Sequence, residues 1–436
     1  TENLDATARV VRRIVRFTDA GGTIHVIVHG VNVGAQSYFG ALATMGMRTR
    51  GVLIMTPGAS LVLTGRAALE ASGSVAAEDE TEIGGYERVM GPNGEAQYYA
   101  RDLGEAFRIL ARHYELTYVV PGEHAPRRRT TSDPTERSIL PHPYGAEDGE
   151  PFRRVGEIFE AAHNPDRKRP FAMRAVMGAV IDQDGGHLER WRGWVGAETA
   201  IVWDARIGGF AVSLLGIESR NLPREGYRPI DGPSTWSGGT LFPLAAKKIA
   251  RALNAASGSR PAVILANLSG FDGSPESMRK LQLEYGAEIA RAVVRFEGPL
   301  LFIVVSRYHG GAYVVFSRSL NPGLRAAALE GSYASVIGGG PAASVVLARE
   351  VRARADADPR VVGLRRALGS DASPEQREAF ERALADVRLE QQAELAAEFD
   401  AVHTVERALA VGSLETILPV PELRPWIVRL LEEQSA

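Results

Sequence analysis

The stretch LLFIVVSRYHGGAYVVFS, residues 300–317, runs an unbroken apolar segment into two glycines and an alanine before β-branched residues return. A short continuous apolar run ended by a turn signal predicts a strand covered on both faces, as parallel sheets bury them. Gly310, Gly311 and Ala312 carry the least side chain at its end. Such residues either close a tight turn or let main-chain atoms come close to a ligand.

Working outward, the same unit recurs. PAVILANLSGF (261–271) and GSYASVIG (331–338) are again strands that end in small residues, and MRKLQLEYGAEIARAVVRF (278–296) between them has helical spacing. Upstream, ETAIVWDARIGGFAVSLLGIES (198–219) reads as paired strands around a Gly-Gly turn, and FPLAAKKIARALNAAS (242–257) as a helix. The first hundred residues repeat the theme: a helix over Ala6–Phe17, a strand in TIHVIVHG (23–30), then VNVGAQSYFGALATMGM (31–47), GVLIMTP (51–57) and SLVLTG (60–65). Strands alternating with helices predict an α/β architecture. Between Gly122 and Phe152, Pro126, Pro134, Pro141, Pro143 and Pro151 interrupt a polar stretch that reads as a linker or crossing segment. Near the C-terminus, Ser373, Pro374 and Gln376 form a helix start signal, followed by Phe380, Leu384, Val387, Leu395, Phe399 and Val402 on one stripe of a packed helix.

Composition narrows the function. The 436 residues suit two domains, with 45% hydrophobic and 24% charged content. A net charge of −3 argues against a general nucleic-acid binder. The basic stretches APRRRTT (125–131) and NPDRKRP (164–170) read as solvated loops, and AEDETE (77–82) as a charged loop surface. The absence of cysteine excludes disulfides, thiolate metal sites and a catalytic thiol, and fits a cytoplasmic location. No stretch of about 18 apolar residues and no charged-then-apolar leader occurs, so neither a membrane span nor a signal peptide is expected. The chain begins without methionine and is expected to be part of something longer.

Three loops could hold an oxyanion through backbone N–H groups: Gly34 with Ala35, Gly270 with Phe271, and Gly311 with Ala312. Each alone reads as an ordinary turn; repetition in two halves suits chemistry with two carbonyl oxygens. No nucleophile elbow, no HExxH and no metal-ligand cluster among the nine histidines offers an alternative. His29 and His309 sit beside glycine turns, either as hydrogen-bonded structural residues or as part of a site.

ANLSGFDGSPESMRKLQLEYGAEIARAV, YHGGAYVVFSRSLNP and YASVIGGGPAASVVLAREV resemble the C-terminal half of the carboxyltransferase of biotin-dependent acyl-CoA carboxylases, most nearly the single-chain long-chain type. GVNVGAQSYFGALATMGMRTRGVLIMTPGASLVLTG and IGGYERVMGPNGEAQYYA resemble the later part of its N-terminal half. The resemblance implies two crotonase-like ββα-superhelix subdomains with a C-terminal helical extension. Residues 1–122 would be the later part of the N-subdomain, 123–165 a proline-rich crossing linker, and 166–436 the C-subdomain with a helical insertion at about 350–410. It implies CO₂ transfer from carboxybiotin to the α-carbon of an acetyl-, propionyl- or long-chain acyl-CoA, without a metal and with biotin accepting the α-proton. Sites would form between the N half of one protomer and the C half of another, in a homo-oligomer that is a dimer or a trimer of dimers. Biotin carboxyl carrier and biotin carboxylase domains would be the partners, with neither nucleic acid nor membrane involved.

On this resemblance Gly311 and Ala312 match the C-half oxyanion pair, Gly34 and Ala35 the N-half glycine turn, and Gly270 and Phe271 its C-half companion. Gly338 and Gly339 match a helix-start turn near the biotin side, and Gly310, Tyr313 and Val314 flank the pocket, Val314 on the acyl side. His29 and Ser269 stand where the eukaryotic multidomain type has arginines associated with the product carboxylate. No SGAR-type loop and no biotin-attachment MKM tripeptide occurs, so the chain is expected to start inside the N-subdomain and to draw biotin from elsewhere. Two other readings stay open: a non-catalytic structural carboxyltransferase-like subunit, and another crotonase-fold enzyme such as a hydratase or thioester hydrolase.

Overall fold

A computed structural model describes residues 2–73, 77–145, 151–224, 228–368 and 372–434. Its strands are β1 (Val26–Val28), β2 (Val31–Val33), β3 (Leu53–Met55), β4 (Ser60–Val62), β5 (Tyr98–Tyr99), β6 (His187–Glu189), β7 (Ala200–Ile207), β8 (Phe210–Ile217), β9 (Leu222–Pro223), β10 (Thr235–Trp236), β11 (Thr240–Leu241), β12 (Ala262–Leu268), β13 (Gly270–Phe271), β14 (Leu300–His309), β15 (Leu324–Leu329), β16 (Tyr333–Ser335) and β17 (Thr416–Leu418).

The apolar run at 300–305 owes its continuity to burial on both faces. β14 lies inside the main sheet, ordered β17-β15-β14-β12-β8-β7-β6, with β16 also pairing β14. Leu300, Phe302 and Val304 point into one core, shared with the helices Pro243–Ala256 and Gln282–Val294. Leu301, Ile303 and Val305 point into a second, closed by Met173–Val180 and Leu423–Glu433. Pairings from β17 to β8 are parallel; β8, β7 and β6 are antiparallel, the β7–β8 hairpin turning at Gly208–Gly209 as its sequence signals.

The first hundred residues build a smaller version. β1, β3 and β5 form a parallel sheet, and β2 pairs with β4. The first helix, Glu2–Asp19, extends past both expected ends, whereas TIHVIVHG yields a strand only at Val26–Val28. The helix Leu103–Thr117 leads to the second half, where Arg206 donates to the Glu115 carbonyl at 2.6 Å and Arg251 to those of Gly94 at 2.8 Å and Thr44 at 3.2 Å.

Several expectations need correction. The segment 278–296 is two helices, Pro275–Arg279 and Gln282–Val294, because Leu281 adopts a left-handed φ of 67° between them. NPDRKRP is not wholly a solvated loop: Arg167 is buried and donates to Val305 O at 3.0 Å and Ser332 Oγ at 2.8 Å. In AEDETE, Asp79 caps a short helix, Glu80–Gly84, by accepting from the Thr81 and Glu82 N–H groups.

The helix announced by Ser373 runs Pro374–Val402 with the full capping box at Ser373 and Gln376. Leu384, Val387 and Leu395 are buried along the expected stripe, while Val402 is exposed at its end. With Ala348–Ala357, Pro359–Ala367 and Val405–Ala410 it makes a helical region between β16 and β17, after which the chain returns to the main sheet. Among the described residues no helix is long and apolar enough to cross a membrane.

Candidate active site

The two halves end their strands in the same way. β2 pairs with β4 as Val33↔Val62, and the end of β14 pairs with β16 as His309↔Ser335. One residue later the chain turns at Gly34, φ 67°, and at Gly310, φ 69°. Both conformations lie where a Cβ is disfavoured, so glycine is required. Each glycine donates its N–H across the pair at 2.9 Å, Gly34 to Val62 O and Gly310 to Val336 O. A helix then starts at once, Ala35–Thr44 in one half and Gly311–Val315 in the other. The N–H groups of Ala35 and Gln36, and of Gly311 and Ala312, occupy first-turn positions with no intrahelical acceptor.

This register makes Ala35 and Gln36 the counterparts of Gly311 and Ala312. Gln36 was not singled out by the sequence, because spacing alone does not fix which residue after a strand begins the helix.

The C-half residues converge at the carboxyl ends of β12, β14 and β16. Gly270, φ 128°, lies against Gly310: a Cβ on Gly310 would stand 3.3 Å from the Gly270 Cα. The Phe271 ring lies beside Gly311, where a Cβ would stand 3.1 Å from it. Ala312 is fully buried in the core below. Tyr313 stacks on Tyr308, whose hydroxyl donates to the Tyr313 carbonyl at 2.7 Å, and Val314 is 63% exposed.

Beside this turn, a cavity of about 270 Å³ takes in Ser269, His309, Gly338 and Gly339 together with Lys168, Arg307, Tyr333 and Asp400. Asp400, on the helix Pro374–Val402, accepts the Gly339 N–H at 2.8 Å and so ties the helical region to the glycine turn. His309 Nδ1 bonds Ser335 Oγ at 2.9 Å, and Ser335 in turn donates to the Ile337 carbonyl. Burial, helped by Arg307, lowers the His309 pKa to about 4, so the ring is neutral near pH 7. Burial likewise lowers the Arg307 pKa, opposed by Tyr333 and Asp400. The cavity thus offers two cations, one carboxylate and a neutral imidazole, a composition suited to a carboxylate-bearing ligand.

Gly34, Ala35 and His29 stand on the other half. The closest atom to a Cβ built on Gly34 is Leu63 O at 3.9 Å, just past β4 of the same half, and exposed His29 bonds Thr56 Oγ1 through Nδ1 at 2.8 Å. Lys168, Arg307 and Asp400 were missed by sequence reasoning. Arg307 alone left a signal, a cation two residues from His309 on one face of an apolar strand. Among the described residues, no group of three or more His, Asp or Glu could hold a metal.

The chain matches the carboxyl transferase domain family over residues 1–425. It is 27% identical over 306 residues to the mitochondrial acetyl-CoA carboxylase of Saccharomyces cerevisiae (strain YJM789), covering 67% of this chain and 12% of that protein. Against the acetyl-CoA carboxylase of Dictyostelium discoideum it is 24% identical over 307 residues, 68% of this chain and 12% of that one. The chain therefore spans only a small part of these relatives' length. In structure it resembles the transcarboxylase 12S core crystallised with hydrolysed methylmalonyl-coenzyme A, with a TM-score of 0.71 and 19% identity over 99% of this chain and 68% of that one. That likeness shows the crotonase-like fold. With a match across nearly its whole length, the chain belongs to the carboxyl transferase domain family.

Proposed function

We propose that the chain moves a carboxyl group from carboxybiotin to the α-carbon of an acyl-CoA, as the carboxyltransferase component of a biotin-dependent acyl-CoA carboxylase. One observation carries this reading: the same strand, glycine turn and helix start occur at Gly34 and at Gly310, each presenting two first-turn N–H groups. Removing the α-proton of a thioester places negative charge on its carbonyl oxygen, and loss of the carboxyl group places it on the ureido oxygen of biotin. Two preorganised donor pairs match two such oxygens.

Carboxybiotin supplies the carboxyl group; the chain's residues orient and neutralise. Gly311 and Ala312 form one donor pair, with Gly270 and Phe271 setting the turn's position. The turn at Gly34 and Ala35 forms the other. Arg307 and Lys168, beside Gly338 and Gly339, supply the positive charge that Ser269 lacks, and Val314 borders the acyl group. Residues 1–122, 123–165 and 166–436 act as N-subdomain, linker and C-subdomain. The N half of one protomer meets the C half of another in a homo-oligomer in the cytoplasm, and carrier and biotin carboxylase domains deliver charged biotin.

The test follows labelled carboxyl from carboxybiotin into acetyl-, propionyl- and long-chain acyl-CoA with the complete polypeptide. Label is expected in at least one carboxylated CoA product. Failure to label any chain length would refute the reading.

A further inference from the structure

Opposite the glycine turns, at the amino ends of the strands, a second cavity of about 370 Å³ lies between the two halves. Its walls are the residues leading into β1, the end of the helix Leu103–Thr117, and the loop before β12. Arg50, Arg190 and Arg260 line it, and no carboxylate does. Asp204 behind them accepts from Arg190 Nε at 2.6 Å and from Arg260 at 2.8 Å. Arg50 donates to the Ser257 carbonyl at 2.7 Å and makes no ion pair among the described residues, Glu297 beside Gly258 included.

Asp204 is thus shared by two guanidiniums and Arg50 has no carboxylate partner among the described residues, so the wall carries an excess of positive charge. Arg260 Nε and His113 Nδ1 are sealed behind this wall without a hydrogen-bond partner, the latter 3.9 Å from Asp204. His25 Nδ1 accepts the Val52 N–H at 3.2 Å, which leaves the ring proton on Nε2. Burial and Arg190 hold the His25 pKa at about 4, so the ring donates while neutral. Two buried guanidiniums on one carboxylate, with a third cation beside them, are costly to hold together. A ligand that carries negative charge and accepts at several points answers that excess.

We propose that this cavity binds an oxyanion of the phosphate class, gripped by Arg50, Arg190 and Arg260, and that the bound anion fastens the N-terminal half to the C-terminal half. The site is independent of the proposed carboxyl transfer.

Calorimetric titration of the full chain with inorganic phosphate, at ionic strength fixed with chloride, tests it; phenyl phosphate forms the second arm. One saturable site is expected. Tighter binding of inorganic phosphate identifies the free ion as ligand, and tighter binding of phenyl phosphate a phosphoryl group on a larger molecule. Arg50→Gln should weaken binding by about tenfold or more by removing a charge-assisted contact. It should also abolish the rise in melting temperature that phosphate gives the unaltered protein. Should Arg50→Gln fail to fold, Thr23→Glu, which sets a carboxylate in the cavity, should weaken binding as much. No saturable binding, or binding in a folded variant within twofold of the unaltered protein, overturns the proposal. So does loss confined to Arg129→Gln, outside the cavity.

Discussion

Gly310→Ala tests the turn on which the proposed chemistry depends. Its backbone, φ 69° and ψ −154°, lies in a region open essentially to glycine alone, and a side chain held there costs about 1–3 kcal/mol. The new methyl would stand 3.3 Å from Gly270 Cα, 3.7 Å from Ser269 O and 3.9 Å from Val336 O. All three atoms are backbone, so none can swing aside. Relief comes only by parting the turns at 270 and 310 by a few tenths of an ångström, which re-aims the Gly311 and Ala312 N–H groups. Loss of one well-placed oxyanion donor lowers turnover by about 10²–10³-fold. Initial rates over a range of acyl-CoA concentrations should therefore show kcat falling by that factor with KM little changed, because the lost contact is made mainly in the transition state. Gly273→Ala is the matched control: nothing lies within 4 Å of the added carbon, and its rate should equal that of the unaltered protein. A folded Gly310→Ala protein turning over within threefold of the unaltered one would show that this turn does not aim the donors.

Other perturbations read different parts of the molecule. Asp204→Asn leaves Arg190 and Arg260 buried without their shared carboxylate, a loss of about 3–5 kcal/mol that should lower the urea midpoint; an unchanged midpoint would contradict it. Hydrogen bonds from Arg224, and after them Lys280, lower the Glu276 pKa to about 2 despite opposing burial. The stability this confers is complete above the ordinary Glu pKa of about 4.3 and is lost as pH falls through about 2, so Glu276→Gln should flatten that part of an acid titration. Asp400→Ala leaves the Gly339 N–H without its acceptor, at a cost of about 1–3 kcal/mol. Hydrogen exchange at Gly339 should quicken while that of β14 stays slow.

Much of the fold is legible where one physical cause dominates. The runs at 262–268 and 300–305 are continuous because both faces are covered, and Ser373, Pro374 and Gln376 announce their helix through local hydrogen bonds alone. The break at Leu281 is not legible, since the apolar spacing runs on across it. Arg167 sits in a basic stretch that looks solvated, and only the folded chain brings the Val305 carbonyl and Ser332 Oγ to it. For the site, small residues after strands disclosed the glycine turns, since the demand for φ near +70° is local. The cavity wall was hidden: Lys168, Arg307 and Asp400 come from three separate elements, and their meeting depends on how the helical region packs against the sheet.

In the proposed transfer, main-chain N–H groups, not a reactive side chain, receive the developing negative charge. A crystal structure of the complete protein with a non-hydrolysable acyl-CoA analogue and biotin tests it most directly. One ligand's carbonyl oxygen should lie about 2.7–3.1 Å from the Gly311 and Ala312 nitrogens, and the other's at the Gly34–Ala35 turn. Both oxygens beyond hydrogen-bond reach of these turns would contradict the account.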